Sequence, residues 1–239
     1  MIQEISELKV KLFADGADLN SMLDLSKKEF IQGLTTNPTL MRKAGIKNYR
    51  QFAKEVLAEI KLKPVSFEVF SDDFDEMVKQ GLEIASWGEN VNVKIPITNS
   101  KGMSTGSVIK HLSGEGVSIN ATALMTVDQV KKVLDSANSS TKNYISIFAG
   151  RIADTGRDPV PLMKKALQMI KQSPNSELIW ASPREVLNVF QANEIGCHII
   201  TATPDILKRL DFFGKDLIQY SLETVQMFRQ DAIASQYTI

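Results

Sequence analysis

The 239-residue chain has little of what usually marks a specialised class. It holds one cysteine, Cys197, so no internal disulfide can form, which fits a reducing compartment. Its two histidines include His198, next to Cys197; on a strand the two side chains face opposite ways and cannot share a metal. Charge of neither sign is in excess: Lys plus Arg and Asp plus Glu each number 28. No basic face for nucleic acid and no polybasic run for anionic lipid is therefore expected. No apolar run is long enough to span a bilayer. The opening MIQEISELKVKLF lacks the blocks of a signal peptide. These absences predict a soluble cytoplasmic protein with neither nucleic-acid nor membrane partners.

What is present is an alternation. Eight short, nearly continuous apolar runs read as strands: 10–15, 30–37, 65–70, 91–97, 117–122, 144–150, 178–182 and 198–203. Such runs suit parallel strands covered on both faces. Amphipathic helical patterns follow each, at 17–27, 48–61, 73–87, 104–113, 126–137, 159–172, 183–193 and 204–211. Ser71 or Asp72 is placed to cap the third of these, Thr126 with Gln129 forms a capping box, and Gly81 interrupts the 73–87 pattern. Eight strand–helix units predict an α/β fold, a closed (β/α)8 TIM barrel, as one domain over 1–239. The runner-up, an open doubly wound sheet, usually has a glycine-rich phosphate turn after its first strand. Here that strand ends FADGADL, not GxGxxG. Beyond the eighth unit, apolar residues recur at helical spacing and predict an additional C-terminal helix at about 215–232. Its stripe needs a surface, either its own barrel mouth or a neighbouring subunit.

In such a barrel the functional groups come from the C-terminal ends of the strands. The polar residues there are Asp15, Thr36 and Asn37, Glu68, Lys94, Asn120 and Thr122, Ser146 and Arg151, Ser182 and Arg184, and Thr201 and Thr203. Lys94 lies in VNVKIPIT, where Val93, Ile95 and Ile97 take one parity and Asn92, Lys94 and Pro96 the other. The apolar set faces the helices, which turns Lys94 into the lumen. An enclosed lysine near Arg151 yields its proton more readily, and a neutral amine attacks a carbonyl to give a Schiff base. The iminium is an electron sink that permits carbon–carbon cleavage in a ketose. Glu68 and Asp15 are the acid/base candidates: Glu68 with Thr122 for a water, Asp15 for a sugar hydroxyl proton. Arg151, Ser182 and Arg184 suit a phosphate.

Several motifs then stand in order at strand ends: GLTTNPTL (33–40), FEVF with Glu68, KIP with Lys94, INAT, SIFAGRIAD (146–154) and ASPRE. From Asp15 to about Thr203 the chain resembles the transaldolase family. The resemblance implies ping-pong transfer of a dihydroxyacetone unit from sedoheptulose 7-phosphate or fructose 6-phosphate to an aldose phosphate, in the non-oxidative pentose phosphate pathway. It implies Lys94 as nucleophile, Asp15 as acid/base for cleavage, and Glu68 and Thr122 around a catalytic water. It places Asn37, Asn120 and Ser146 on the dihydroxyacetone hydroxyls, with Thr36 and Phe148 in the same substrate site. Arg151, Ser182 and Arg184 take the phosphate, and no metal or organic cofactor is implied. The chain is short, like the branch that includes fructose 6-phosphate aldolases and forms rings of five, often doubled. It is therefore expected to be a homo-oligomer (dimer, pentamer or decamer) joined through the C-terminal helix. That aldolase branch typically carries glutamine and tyrosine at the positions of Glu68 and Phe148. The stretch 98–108 is longer than the equivalent in short members.

Plainer readings stand beside these. Lys94 is also what a structural ion pair with Glu68 looks like, Asp15 a helix cap, Asn37 a turn residue before Pro38, and Arg184 a solvated helix residue. Cys197, His198, Trp87 and Trp180 read as packing. Beside transfer, the other functional readings are a fructose 6-phosphate aldolase and a non-catalytic barrel that binds sugar phosphates.

Overall fold

The computed structural model describes residues 4–238. The first three residues of the opening stretch and the last residue of the expected 1–239 domain lie outside it. Eight parallel strands close in sequential order into a barrel. They are β1 (Lys11–Asp15), β2 (Ile31–Thr35), β3 (Val65–Glu68), β4 (Val91–Pro96), β5 (Ile119–Leu124), β6 (Asn143–Ile147), β7 (Ser176–Trp180) and β8 (Ile199–Ala202). The predicted TIM barrel is thus the observed fold.

Around the barrel lie α1 (Leu19–Ser26), α2 (Pro38–Lys43), α3 (Tyr49–Glu59), α4 (Phe74–Ala85), α5 (Gly106–Gly114) and α6 (Val127–Ser136). The chain continues through α7 (Ala149–Ala153), α8 (Val160–Ile170), α9 (Leu187–Glu194), α10 (Pro204–Lys208) and α11 (Leu217–Ala234). The expected capping box starts α6, with both Thr126 and Gln129 bonds in place. Neither Ser71 nor Asp72 caps α4; Asp73 does, accepting from the Glu76 amide. Gly81 does not break α4, because a side chain there would run into Leu112 of α5. The strand expected at 144–150 ends at Ile147, and α7 begins two residues later.

Strand alternation sorts the core into two. Outward residues such as Val93, Ile95 and Ile97 join the large cluster under the helices. Each fully buried aliphatic side chain there contributes about 1.5–3 kcal/mol. A second cluster of Phe13, Tyr144, Ile179, Ala181 and Ile199 fills the lumen beneath the mouth. Trp180 is buried, and Cys197 is too, its thiol pushed up to about 12 by burial. Burial lowers the His198 imidazole below its ordinary range, and its Nδ1 accepts from the Leu178 amide. Both packing readings therefore hold.

Two seams are short. β2 meets β3 only through Leu34↔Val65 and Thr35↔Ser66, and β7 meets β8 only through Ile179↔Ile199 and Trp180↔Ile200. No described helix is long and apolar enough to cross a membrane. α11 buries none of its residues, and Leu217, Ile218, Val225 and Phe228 are each more than half exposed.

Candidate active site

Lys94 lies on β4 directly beside Glu68 of β3 in the parallel register. It is 5% exposed. Its Nζ stands 3.1 Å from Glu68 Oε2 and donates to the Thr36 carbonyl oxygen at 2.6 Å. Both partners are needed, since a buried ammonium without them is costly. The ion pair with Glu68 that the plainer reading of Lys94 expects is therefore present. Its charged neighbours include the carboxylates Glu68 and Asp15, and Arg151 lines the same cavity. A carboxylate at this range can take the proton whose loss makes the amine a nucleophile.

Asp15 ends β1 and faces the same space. Burial raises its carboxyl above the usual carboxylate range, and the Lys94 charge and the Thr35 hydrogen bond only partly offset this. Thr35 Oγ1 donates to Asp15 Oδ1 at 2.8 Å and lies 2.5 Å from Thr201 Oγ1. Since Thr35 spends its proton on Asp15, Thr201 is the donor of that second bond. Asn37 caps α2 through the Leu40 amide and lines the same cavity as Asp15, so the turn role does not remove it from the site.

Thr122 Oγ1 is buried and has no hydrogen-bond partner, an orphan polar atom at the cavity wall. The next residue, Ala123, has φ of 63°, and β5 has a register shift against β6 between Ala121 and Leu124. Such a bulge re-aims the neighbouring side chain. Ser146 Oγ donates to Asn120 Oδ1 at 2.7 Å, and Asn120 Nδ2 donates to Ser66 Oγ at 3.1 Å. Asn120 thereby lies below the cavity and leaves the Ser146 oxygen free to accept.

On the far wall Arg151 lies within α7, its guanidinium 5.6 Å from the Phe148 ring centroid. Ser182 follows β7 with φ of 60°, a left-handed conformation costing about 1–3 kcal/mol. It is pinned because a side chain on Gly150 would collide with its carbonyl oxygen. Arg184 Nη1 donates to Ser182 Oγ at 3.0 Å. Its other nitrogens hold Asp154, whose carboxyl that hydrogen-bonded guanidinium keeps below the usual range.

Ten of the twelve expected residues line one cavity of about 470 Å3, within the range of small-molecule sites. The two others are Asn120, just described, and Thr36. The Thr36 hydroxyl turns outward to the Ser66 carbonyl, and only its main-chain oxygen meets Lys94. Thr35, its neighbour, holds the lumen position instead; the parity shared with Gly33 carried that signal. Lys43, in the last turn of α2, was also missed and adds a cation to the wall. The 98–105 loop after β4 is ordered by Asn99, and Ser100 ties it to the Asp72 carboxylate through its amide (2.6 Å) and hydroxyl (2.7 Å). Among the described residues no group of three or more His, Cys, Asp or Glu could hold a metal ion.

Known proteins similar to this chain point to one family. The family model for transaldolase/fructose-6-phosphate aldolase matches residues 12–238. A protein named "Probable transaldolase" from Nitrosopumilus maritimus is 34% identical over 203 residues, covering 84% of this chain and 87% of its own. One of the same name from Methanococcus vannielii is 31% identical, covering 90% and 94%. Among solved structures, one titled as "a putative phosphonomutase from Burkholderia cenocepacia J2315" superposes with a TM-score of 0.56 at 12% identity, over 92% of this chain and 94% of that one. That likeness concerns the barrel alone. With the matched family model spanning nearly the whole chain, the protein belongs to the transaldolase/fructose-6-phosphate aldolase family.

Proposed function

We propose that the protein is a Schiff-base transaldolase, moving a dihydroxyacetone unit from a ketose phosphate to an aldose phosphate. The observation that carries this is the placing of Lys94 between two carboxylates, Glu68 at 3.1 Å and Asp15 across the same cavity. Lys94 as neutral amine attacks the donor's C2 carbonyl; the carbinolamine loses water to give an iminium. Asp15 takes the C4 hydroxyl proton, the C3–C4 bond breaks, and its electron pair moves into the iminium to leave an enamine. The freed aldose departs. The enamine then attacks the acceptor's aldehyde carbon, and Asp15 returns the proton. Glu68 and the unpartnered Thr122 hydroxyl hold the water that forms and later hydrolyses the Schiff base.

The remaining roles follow the cavity walls. Asn37 and Ser146 engage the dihydroxyacetone hydroxyls with Phe148 beside them, Asn120 orients Ser146, and the Thr36 carbonyl holds Lys94. Arg151, Ser182 and Arg184 receive the phosphate. The donors are sedoheptulose 7-phosphate or fructose 6-phosphate, which places the reaction in the non-oxidative pentose phosphate pathway, in the cytoplasm. The chain acts as one barrel domain. The bare apolar face of α11 supports a homo-oligomer in which this helix docks on a second copy.

The test is borohydride trapping. The protein is incubated with fructose 6-phosphate, reduced, and mapped by mass spectrometry. A dihydroxyacetone adduct on Lys94 that erythrose 4-phosphate discharges is the expected result. An adduct discharged equally well by water alone favours the aldolase reading. No adduct with either ketose phosphate, in folded protein, overturns the mechanism.

A further inference from the structure

The main chain of Glu68 is held by a side chain where a strand should be. Along β2 and β3 the ladder runs with a two-residue step: the Leu34 amide donates to the Pro64 carbonyl at 2.8 Å, and the Thr36 amide to the Ser66 carbonyl at 3.1 Å. The next step would pair residue 38 with the Glu68 carbonyl, but residue 38 is proline and has no N–H. The acceptor that the same ladder would offer the Glu68 amide is the Thr36 carbonyl, which Lys94 Nζ occupies. Glu68 is thus left with an unmatched donor and an unmatched acceptor on its β2 side.

Tyr49, the first residue of α3, fills both vacancies. Its hydroxyl accepts from the Glu68 amide at 2.7 Å and donates to the Glu68 carbonyl at 3.0 Å. One phenol doing both must be protonated, and burial, with the Glu68 charge, pushes it well above its ordinary range. The ring is fixed edge-on to Phe67 and Trp87, with centroids 6.1 Å and 5.4 Å away. Tyr49 lines a different pocket, which shares Glu68 and Pro38 with the cavity.

We infer that Tyr49 is a positioning residue for the reaction, holding the end of β3 so that the Glu68 carboxylate meets Lys94. The inference rests on the Schiff-base reading above. Lys94 takes a ladder acceptor for its own use, and Tyr49 makes good the loss to the neighbouring strand.

Tyr49→Phe keeps the ring and deletes the hydroxyl. The expected result is a fall of about 10-fold to 100-fold in the rate of borohydride trapping on Lys94, the order that a small misplacement costs. KM for the ketose phosphate should stay within about twofold, because Tyr49 does not reach the phosphate wall. On a Glu68→Gln background the same replacement should cost nothing further, whereas a merely structural tyrosine would slow both backgrounds alike. Trapping at the unmodified rate, or an undiminished loss on the Glu68→Gln background, overturns the inference. A crystal structure of Tyr49→Phe gives a readout independent of turnover: the Glu68–Lys94 spacing should depart from 3.1 Å. An unchanged spacing also overturns it. If the unmodified protein forms no Lys94 adduct, the functional reading falls, and that spacing still decides the matter of Tyr49.

Discussion

Arg184 and Asp154 share a two-pronged ion pair, Nε to Oδ1 at 2.8 Å and Nη2 to Oδ2 at 2.5 Å. The carboxylate fixes the plane of the guanidinium and leaves Nη1 turned toward Ser182. A lysine cannot hold Asp154 in this way and present a second donor to a phosphate. Arg184→Lys should lower kcat/KM for phosphorylated donors by about 10-fold, the equivalent of roughly 1.4 kcal/mol. Activity toward unphosphorylated fructose should be unchanged. Parallel kinetics with the two donors checks this, and equal losses on both would remove Arg184 from the phosphate site.

For Asp15 the proposed reaction and the stability of the fold pull in opposite directions. Its folded carboxyl lies above the unfolded value of 3.8. Below that value both states are protonated and Asp15 contributes no pH dependence. As pH rises from 3.8 to the folded value the unfolded state ionises first, so the folded state loses stability until its own carboxyl has ionised. Asp15→Asn should therefore raise Tm at pH 7.5 by about 2–4 °C, with the advantage fading toward pH 4, while cleavage falls at least about 100-fold. Thermal melts of both proteins across that range provide the measurement; a lower Tm at pH 7.5 contradicts the assignment.

Glu68→Gln removes the carboxylate charge beside the Lys94 ammonium and leaves Asp15 as the remaining carboxylate near it. Trapping on Lys94 should slow by about 10²–10⁴-fold. Lys94→Met should abolish trapping altogether. Residual adduct on another lysine at the unmodified rate would relocate the nucleophile.

Gly150→Ala places a methyl group where the Ser182 carbonyl oxygen lies. The loop carrying Ser182 and Arg184 has to move, and we expect a loss of about 1–3 kcal/mol in stability, with a raised KM for phosphorylated donors. Urea unfolding and initial-rate kinetics report the two effects separately.

Truncation after residue 214 removes α11, none of whose residues is buried in the single chain. The barrel should stay folded by circular dichroism while the mass by light scattering drops. An undiminished mass would place the subunit contact elsewhere.

The barrel and the inward turn of Lys94 were legible because period-two alternation is a local property of a strand. The same rule, applied to Gly33 and Thr35, would have found Thr35 in place of Thr36. What stayed hidden depends on the chain's return in space. Asp154 closes the SIFAGRIAD motif, yet its partner is thirty residues away. Tyr49 heads a helix outside every strand end, and its role shows only once Pro38 is placed beside Glu68. The helices α2 and α7 are too short for periodicity, and α7 starts within a run that reads as strand.

The two short seams divide the barrel into two arcs. One, β3 to β7, carries Glu68, Lys94, Thr122 and Ser146; the other, β8 through β1 to β2, carries Asp15, Thr35 and Thr201. In the proposed reaction the group that bonds to the sugar and the group that moves its proton therefore belong to separate arcs, which meet along lines of sparse hydrogen bonding. Where such seams open more readily than the rest of the barrel, the gap between Lys94 and Asp15 changes with them. Amides flanking the seams should exchange with deuterium sooner than those between β4 and β6, and a bound ketose, bridging the arcs, should slow them.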